Sequence, residues 1–337
     1  MPVPADNPRV LYQGRLIVGS AHQVMMGFPG IVTLVKVNGT RLGVRISASS
    51  DDVYFNVSVD GAAPERIRLV KGQNDLELLK GAAPGVHTVE LVRRTESWEG
   101  VCEVEGFEIG GGTLLEPAPL PARKLMFIGD SVTCGSGTEQ SDVPGKPGAE
   151  RSNAAASFGM KLAVRLGAQF NLVSYGGRGI FRDWQGITAT NNAPEYYELA
   201  LPDDPKTQWD HSTYVPDAIG ICLGTNDFSR GIPDQTTFVN AFIEFLRKVR
   251  RDAPNAPIFL IDSPILNDEE GEAPKLTVCR AYLDEIVRRM DSPKVTHLKI
   301  KHYKGSPGDG HPTAAEHTLI ADELEPAFRA VLHWDKK

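Results

Sequence analysis

Hydrophobic and polar positions alternate with a period of two through the first third of the chain. Val53, Phe55, Val57 and Val59 interleave with Tyr54, Asn56, Ser58 and Asp60, the pattern of a half-buried strand. Residues 31–37 form a second apolar run. Asn38-Gly39 and Asp60-Gly61 follow the two runs, and both dipeptides tolerate positive φ, which predicts tight hairpin turns. Further strands are predicted at 44–47, 67–70, 75–79, 86–93 and 101–109. No long helical period occurs before residue 112, so residues 1–112 read as an all-β sandwich or jelly roll. Gly110-Gly111-Gly112 and Pro117-Ala118-Pro119-Leu120-Pro121 interrupt the pattern, and 113–122 reads as a linker.

From residue 123 to the end at 337 the period switches back and forth. Short apolar runs at 125–128, 170–173, 218–223, 258–261 and 295–300 read as strands. Between them lie helical spacings: Phe158, Leu162 and Leu166; then Phe238, Phe242, Phe245, Leu246 and Val249, with Asp234 as N-cap; then 274–290; and a last helix from near Thr313. Alternating strands and helices imply a parallel sheet with helices on both faces, whose sites form at the carboxyl ends of the strands.

The chain has 337 residues, enough for two domains at ~100–200 residues each. Its formal charge of −7 argues against a protein held on nucleic acid or on anionic lipid by its charge. No apolar run approaches the ~18 residues of a membrane-spanning helix. The opening residues 1–6 lack a basic segment followed by an apolar one. The expectation is a cytoplasmic protein, or a secreted one whose leader has been removed. Four widely spaced cysteines, Cys102, Cys134, Cys222 and Cys279, contain no Cys-x-x-Cys pair and read as free buried thiols.

Four short motifs fall at strand ends. Gly129-Asp130-Ser131-Val132-Thr133-Cys134-Gly135 follows the first parallel strand, where a serine can expose its hydroxyl near backbone N–H groups. It is not the Gly-x-Ser-x-Gly elbow, which disfavours an ordinary α/β-hydrolase. Gly176-Gly177-Arg178-Gly179 follows the second strand, and glycines there let the backbone approach a ligand. Gly224-Thr225-Asn226-Asp227 follows the third, and an Asn amide can donate to an oxyanion. Asp309-Gly310-His311-Pro312 opens the last helix, and His311 could serve Ser131 as general base. Taken singly, each motif also fits a plain structural role: a strand-to-helix turn, a tight loop, an Asx-turn, a capping histidine. His317 reads as packing or surface and Glu316 as solvated. Their spacing with His311 lacks the register of a helical zinc site.

In the order Ser, Gly, Asn, His, the four motifs resemble the blocks of the SGNH (GDSL-type) hydrolases over about residues 123–333. With a β-sandwich in front, nearly the whole chain resembles carbohydrate esterase family 2. The resemblance implies a three-layer α/β/α domain with a parallel sheet after a jelly-roll domain. It also implies removal of O-acetyl groups from a xylan- or mannan-type polysaccharide or oligosaccharide through an acyl-enzyme, with no metal or organic cofactor.

By the same resemblance Ser131 is the nucleophile and His311 the base. The backbone N–H groups of Ser131 and Gly177 and the amide of Asn226 form the oxyanion hole. Two departures stand out. The acid that family members carry three residues before the histidine is replaced by Gly308, leaving Asp309, two before, as third member; otherwise a Ser–His dyad operates. Gly310 also stands where relatives often carry an aromatic that stacks on sugar. Arg178, Trp184, Trp209 and Asp227 are the substrate-contact candidates, and the long 181–216 insertion is expected to shape the cleft. A general short-chain carboxylesterase or thioesterase, or a non-catalytic carbohydrate-binding protein on a hydrolase scaffold, are the alternatives.

Overall fold

The computed structural model describes residues 2–139, 148–269, 271, 273–305 and 308–335. It divides into two compact units, Met1–Leu120 with Ala200–Thr207, and Pro121–Leu199 with Gln208–Lys337.

The first unit is all β. Its strands are β1 (Pro2–Pro4), β2 (Val10–Gln13), β3 (Leu16–Val18), β4 (Val24–Met26), β5 (Val32–Gly39), β6 (Arg41–Ala48), β7 (Tyr54–Val59), β8 (Glu65–Arg68), β9 (Gly72–Leu79), β10 (Gly85–Arg93), β11 (Cys102–Gly110) and β12 (Thr113–Leu115). They form two six-stranded antiparallel sheets, one ordered β3-β4-β11-β6-β9 with β1 beside β11, the other β12-β5-β10-β7-β8 with β2 beside β5. Period-two alternation buries one row of each sheet, such as Val35, Val37 and Val89 in one and Val44, Ile46 and Val104 in the other.

Asp60-Gly61 closes the β7–β8 hairpin as expected, with φ of 53° and 74°. Asn38-Gly39 does not close a hairpin. β5 and β6 belong to different sheets, because the edges of β5 are taken by β2, β10 and β12 and those of β6 by β9 and β11. Residues 113–115, expected as linker, pair with β5 as strand β12.

The second unit contains β13 (Arg123–Gly129), α1 (Ser131–Cys134), α2 (Gly148–Arg151), α3 (Phe158–Arg165), β14 (Ala168–Ser174), α4 (Ala193–Tyr196), β15 (Ala218–Cys222), α5 (Gln235–Asp252), β16 (Ile258–Ile261), α6 (Lys275–Met290), β17 (Val295–Leu298) and α7 (Ala314–Leu332). Its five parallel strands run in the order β14-β13-β15-β16-β17. The chain therefore leaves β13 on one side and returns on the other, which opens a crevice at the carboxyl end of β13.

The helices form where the sequence places caps and apolar stripes. Asp234 accepts the Thr237 N–H at 2.8 Å to start α5, and Phe238, Phe242, Phe245, Leu246 and Val249 bury one face of it. Burying each such side chain contributes ~1.5–3 kcal/mol before conformational entropy is counted. No helix of the described residues is long and apolar enough to cross a membrane.

Candidate active site

Ser131 is the first residue of α1, with Asp130 alone between it and the interior strand β13. Asp130 caps that short helix by accepting the Val132 N–H at 3.1 Å. Gly129 must be glycine: a Cβ there would strike the Thr133 side chain and the Cys222 carbonyl. The Gly129 carbonyl is held by the Tyr175 N–H at 3.1 Å and the Tyr196 hydroxyl at 2.7 Å, so the nucleophile turn is fixed from β14 and from α4.

His311 comes to Ser131 from the start of α7. Its Nε2 lies 2.9 Å from Ser131 Oγ, and its Nδ1 lies 2.6 Å from Asp309 Oδ1. The hydrogen bond to His311 holds the Asp309 carboxyl below the usual carboxylate range, with a further contribution from the positive charge of Arg151. An ionised Asp309 accepts Nδ1–H, which leaves Nε2 free to accept the Ser131 proton. Both side chains are 25% exposed, so solvent reaches the pair.

The loop carrying His311 is anchored by a capping box. Thr313 Oγ1 accepts the Glu316 N–H, and Glu316 Oε2 accepts the Thr313 N–H at 2.7 Å. Glu316 Oε1 also accepts the Gly305 N–H at 3.1 Å, so this side chain ties together two residues that flank Asp309 and His311. It is a structural tether rather than a solvated acid. His317 is buried, stacks on Phe158 and accepts the Phe158 N–H on Nδ1 at 3.0 Å, which docks α7 on the start of α3. Burial pushes its pKa down to about 3, so the ring is neutral.

Gly177 and Asn226 lie on the loops after β14 and β15, the two strands that flank β13. Gly177 has φ 76°, and a Cβ there would stand 2.8 Å from the Trp184 indole. Asn226 is buried, and its amide donates to the Arg178 carbonyl at 2.9 Å. Its second amide N–H has no acceptor among the described residues.

The other candidates separate by environment. The Trp184 side chain is exposed, and the Trp184 backbone N–H donates to the Gly177 carbonyl at 2.9 Å. Arg178 pairs with Asp183 at 3.5 Å and stacks over Tyr175. Trp209 is half-buried beside the Leu199–Gln208 bridge, with its backbone N–H on the Glu198 carbonyl at 2.7 Å.

Asp227, expected to contact substrate, is fully buried instead. Its carboxylate accepts the N–H groups of Ile180, Phe181 and Arg182, while the Arg182 guanidinium reaches back to the Asp227 and Gly231 carbonyls. Asp227 is thus the clamp of the Gly177–Arg182 loop. Burial pushes its pKa up to about 7 against those hydrogen bonds.

One group of three metal-type donors gathers among the described residues, Glu198, His211 and Asp252. Lys248 and Arg251 already neutralise its carboxylates.

The sequence gives no local sign of Tyr196, which acts on a carbonyl 67 residues away. Glu316 did carry a sign, since Thr313-Ala314-Ala315-Glu316 has capping-box spacing.

Comparison with known proteins agrees with this arrangement. A family model described as carbohydrate esterase 2 N-terminal matches residues 12–119, and a GDSL-like lipase/acylhydrolase family model matches residues 127–319. An acetylxylan esterase / glucomannan deacetylase of Cellvibrio japonicus is 34% identical over 334 residues, covering 98% of this chain and 91% of the relative. The structure of a family two carbohydrate esterase from Cellvibrio japonicus superposes with a TM-score of 0.95, at 34% identity over 99% of this chain and 98% of that one. The family two carbohydrate esterase from Clostridium thermocellum, solved in complex with cellohexaose, gives 0.90 at 30% identity, covering 97% and 100%. An all-β unit followed by a parallel-sheet unit, a serine and histidine in contact at its strand ends, and near-full-length similarity agree: the chain belongs to carbohydrate esterase family 2.

Proposed function

We propose that this chain is a serine esterase that removes O-acetyl groups from a neutral polysaccharide or oligosaccharide of the xylan or mannan class. The observation that carries the reading is the contact of Ser131 Oγ with His311 Nε2 at 2.9 Å, with Asp309 on the far nitrogen at 2.6 Å. The enzyme class follows from the family. The substrate class is supported by the Cellvibrio relative, an acetylxylan esterase / glucomannan deacetylase.

In the proposed reaction the Ser131 oxygen attacks the acetyl carbonyl while His311 Nε2 takes the serine proton. The carbonyl oxygen gathers negative charge and is met by the Ser131 and Gly177 N–H groups and the free amide N–H of Asn226. The bond to the sugar oxygen then breaks, and His311 returns the proton to that oxygen. Water, deprotonated by His311, attacks the acetyl-serine, releases acetate and restores Ser131. Asp309 holds the His311 tautomer and stabilises the imidazolium in both halves.

Trp184, exposed next to Gly177, supplies a ring face for the sugar that carries the ester. Gly310 leaves the space beside it open: among the described residues, no atom lies within 4 Å of where a Cβ would stand.

The test is acetate release by wild type and Ser131→Ala from acetylated xylan, acetylated glucomannan and 4-nitrophenyl acetate. Loss on all three substrates in Ser131→Ala is expected. Persistent release would remove Ser131 as nucleophile. Wild-type turnover of the aryl ester alone would turn the reading to a general short-chain esterase.

A further inference from the structure

The β-sandwich unit holds an exposed tryptophan on a turn of otherwise buried residues. Between β10 and β11, Arg93, Arg94, Thr95, Glu96, Ser97 and Glu99 are all buried, whereas Trp98 is 59% exposed. The Gly100 N–H donates to the Ser97 carbonyl at 2.9 Å, which places Trp98 at the corner of the turn.

The turn is clamped from several sides. Arg93 donates to the carbonyls of Thr95 at 3.0 Å and Glu96 at 3.1 Å, and also to the Gly100 carbonyl. Arg94 donates to Asn56 at 2.8 Å, the Glu96 N–H to the Glu99 carboxylate at 2.8 Å, and Ser50 to the Glu99 carbonyl. Desolvating this many charged groups costs free energy. Burial and the neighbouring Glu96 push the Glu99 carboxyl well above its ordinary range. A lone exposed apolar residue is ordinary on a protein surface. An indole held outward on a turn whose other residues are all buried is less so, because the turn fixes where the ring stands.

The surroundings of the turn are polar. Ser49 Oγ accepts the Val101 N–H and Ser50 Oγ donates to the Glu99 carbonyl; Asp51 and Asp52 follow in the chain, and Arg68 reaches both of them. Asp52 and Arg68 side chains are each about half exposed. An exposed indole on a turn bonded to a polar segment matches a pyranose ring. Such a ring presents C–H groups to an aromatic face and hydroxyls at its edge. The rigid turn lowers the ordering entropy of such contact.

We propose that Trp98 is the stacking platform of a sugar-binding site on the β-sandwich unit, which takes one ring of a neutral pyranose polymer. The ligand class rests on the polysaccharide reading above, and the site itself needs no catalytic residue. Its function is to hold the polymer main chain while esters are removed.

The test is affinity electrophoresis of the full chain through gels containing soluble glucomannan or xylan, with 4-nitrophenyl acetate turnover measured in parallel. Trp98→Ala is expected to weaken retardation about tenfold, and Trp98→Tyr to restore most of it, with aryl acetate turnover unchanged in both. Wild-type retardation of Trp98→Ala would overturn the proposal. So would equal loss in Trp98→Ala and Trp98→Tyr, which would mark a folding role for the residue. A change in gel-filtration mass with unchanged retardation would assign Trp98 to a contact between copies and overturn it as well. Ser131→Ala keeps full retardation if the proposal holds, so failure of the catalytic reading and failure of this one are read in different assays.

Discussion

Replacing Asp309 with alanine tests the part of the site that departs from the family pattern. The perturbation removes the carboxylate that His311 Nδ1 meets at 2.6 Å. A hydrogen bond to a charged group contributes ~1.5–3 kcal/mol, which corresponds to ~10–150-fold in rate. Loss of the correct imidazole tautomer adds to this, up to the ~10⁴-fold deficit of a triad with a fully buried acid. Asp309 is 25% exposed, so water replaces part of what the carboxylate supplied. The expected loss is therefore ~100–1,000-fold in kcat with KM little changed, since the imidazolium exists only along the reaction path.

The assay is steady-state hydrolysis of 4-nitrophenyl acetate and acetylated xylan across pH. The acid limb of kcat/KM should move to lower pH, because the imidazolium loses its anionic neighbour. Asp309→Asn should do no better than alanine. Its amide nitrogen can donate to Nδ1 and turn the proton on Nε2 toward Ser131. A kcat for Asp309→Ala within ~3-fold of wild type, worth only ~0.6 kcal/mol, would refute the reasoning and leave a Ser–His dyad.

Further outcomes follow from the same geometry. Asn226→Ala should lower kcat ~100–1,000-fold with KM nearly constant, measured on 4-nitrophenyl acetate; a change confined to KM would remove Asn226 from the oxyanion hole. Asp227→Ala should cost ~3 kcal/mol or more, ~6–12 °C in melting temperature, because the buried N–H groups of Ile180, Phe181 and Arg182 lose their acceptor; calorimetry showing no shift would contradict the clamp. His317 makes stability pH-dependent on the acid side. Its folded pKa of about 3 lies below the ordinary 6.5, so the unfolded chain binds the proton first and stability falls as pH drops from 6.5 towards 3. His317→Gln should flatten that slope in urea unfolding series, and an unchanged slope would show that the ring is not buried neutral.

The strand pattern, the switch of period near residue 112 and the order of the four motifs were legible because they rest on local rules. Apolar alternation marks a strand face wherever the strand pairs, and strand-end loops rich in Gly, Ser, Asn and His carry their identity in the residues themselves. The same local rules misread Asn38-Gly39, since a turn-prone dipeptide does not say whether the next strand stays in its sheet. They also left Asp227 as a substrate-contact candidate, because inward and outward carboxylates look alike in sequence.

The sequence by itself thus determined the two-part architecture and put Ser131, Gly177, Asn226 and His311 at strand ends or at the start of a helix. Only the tertiary structure decided that Asp309 reaches Nδ1, that Asp227 turns inward to hold the 180–182 backbone, and that Tyr196 braces Gly129 across 67 residues. It also decided that Trp98 faces outward from a buried ionic turn. The physical reason is range. Propensity and periodicity act over a few residues, whereas a hydrogen bond of under 3 Å between distant segments depends on how the sheet order and the packed helices bring two backbones together.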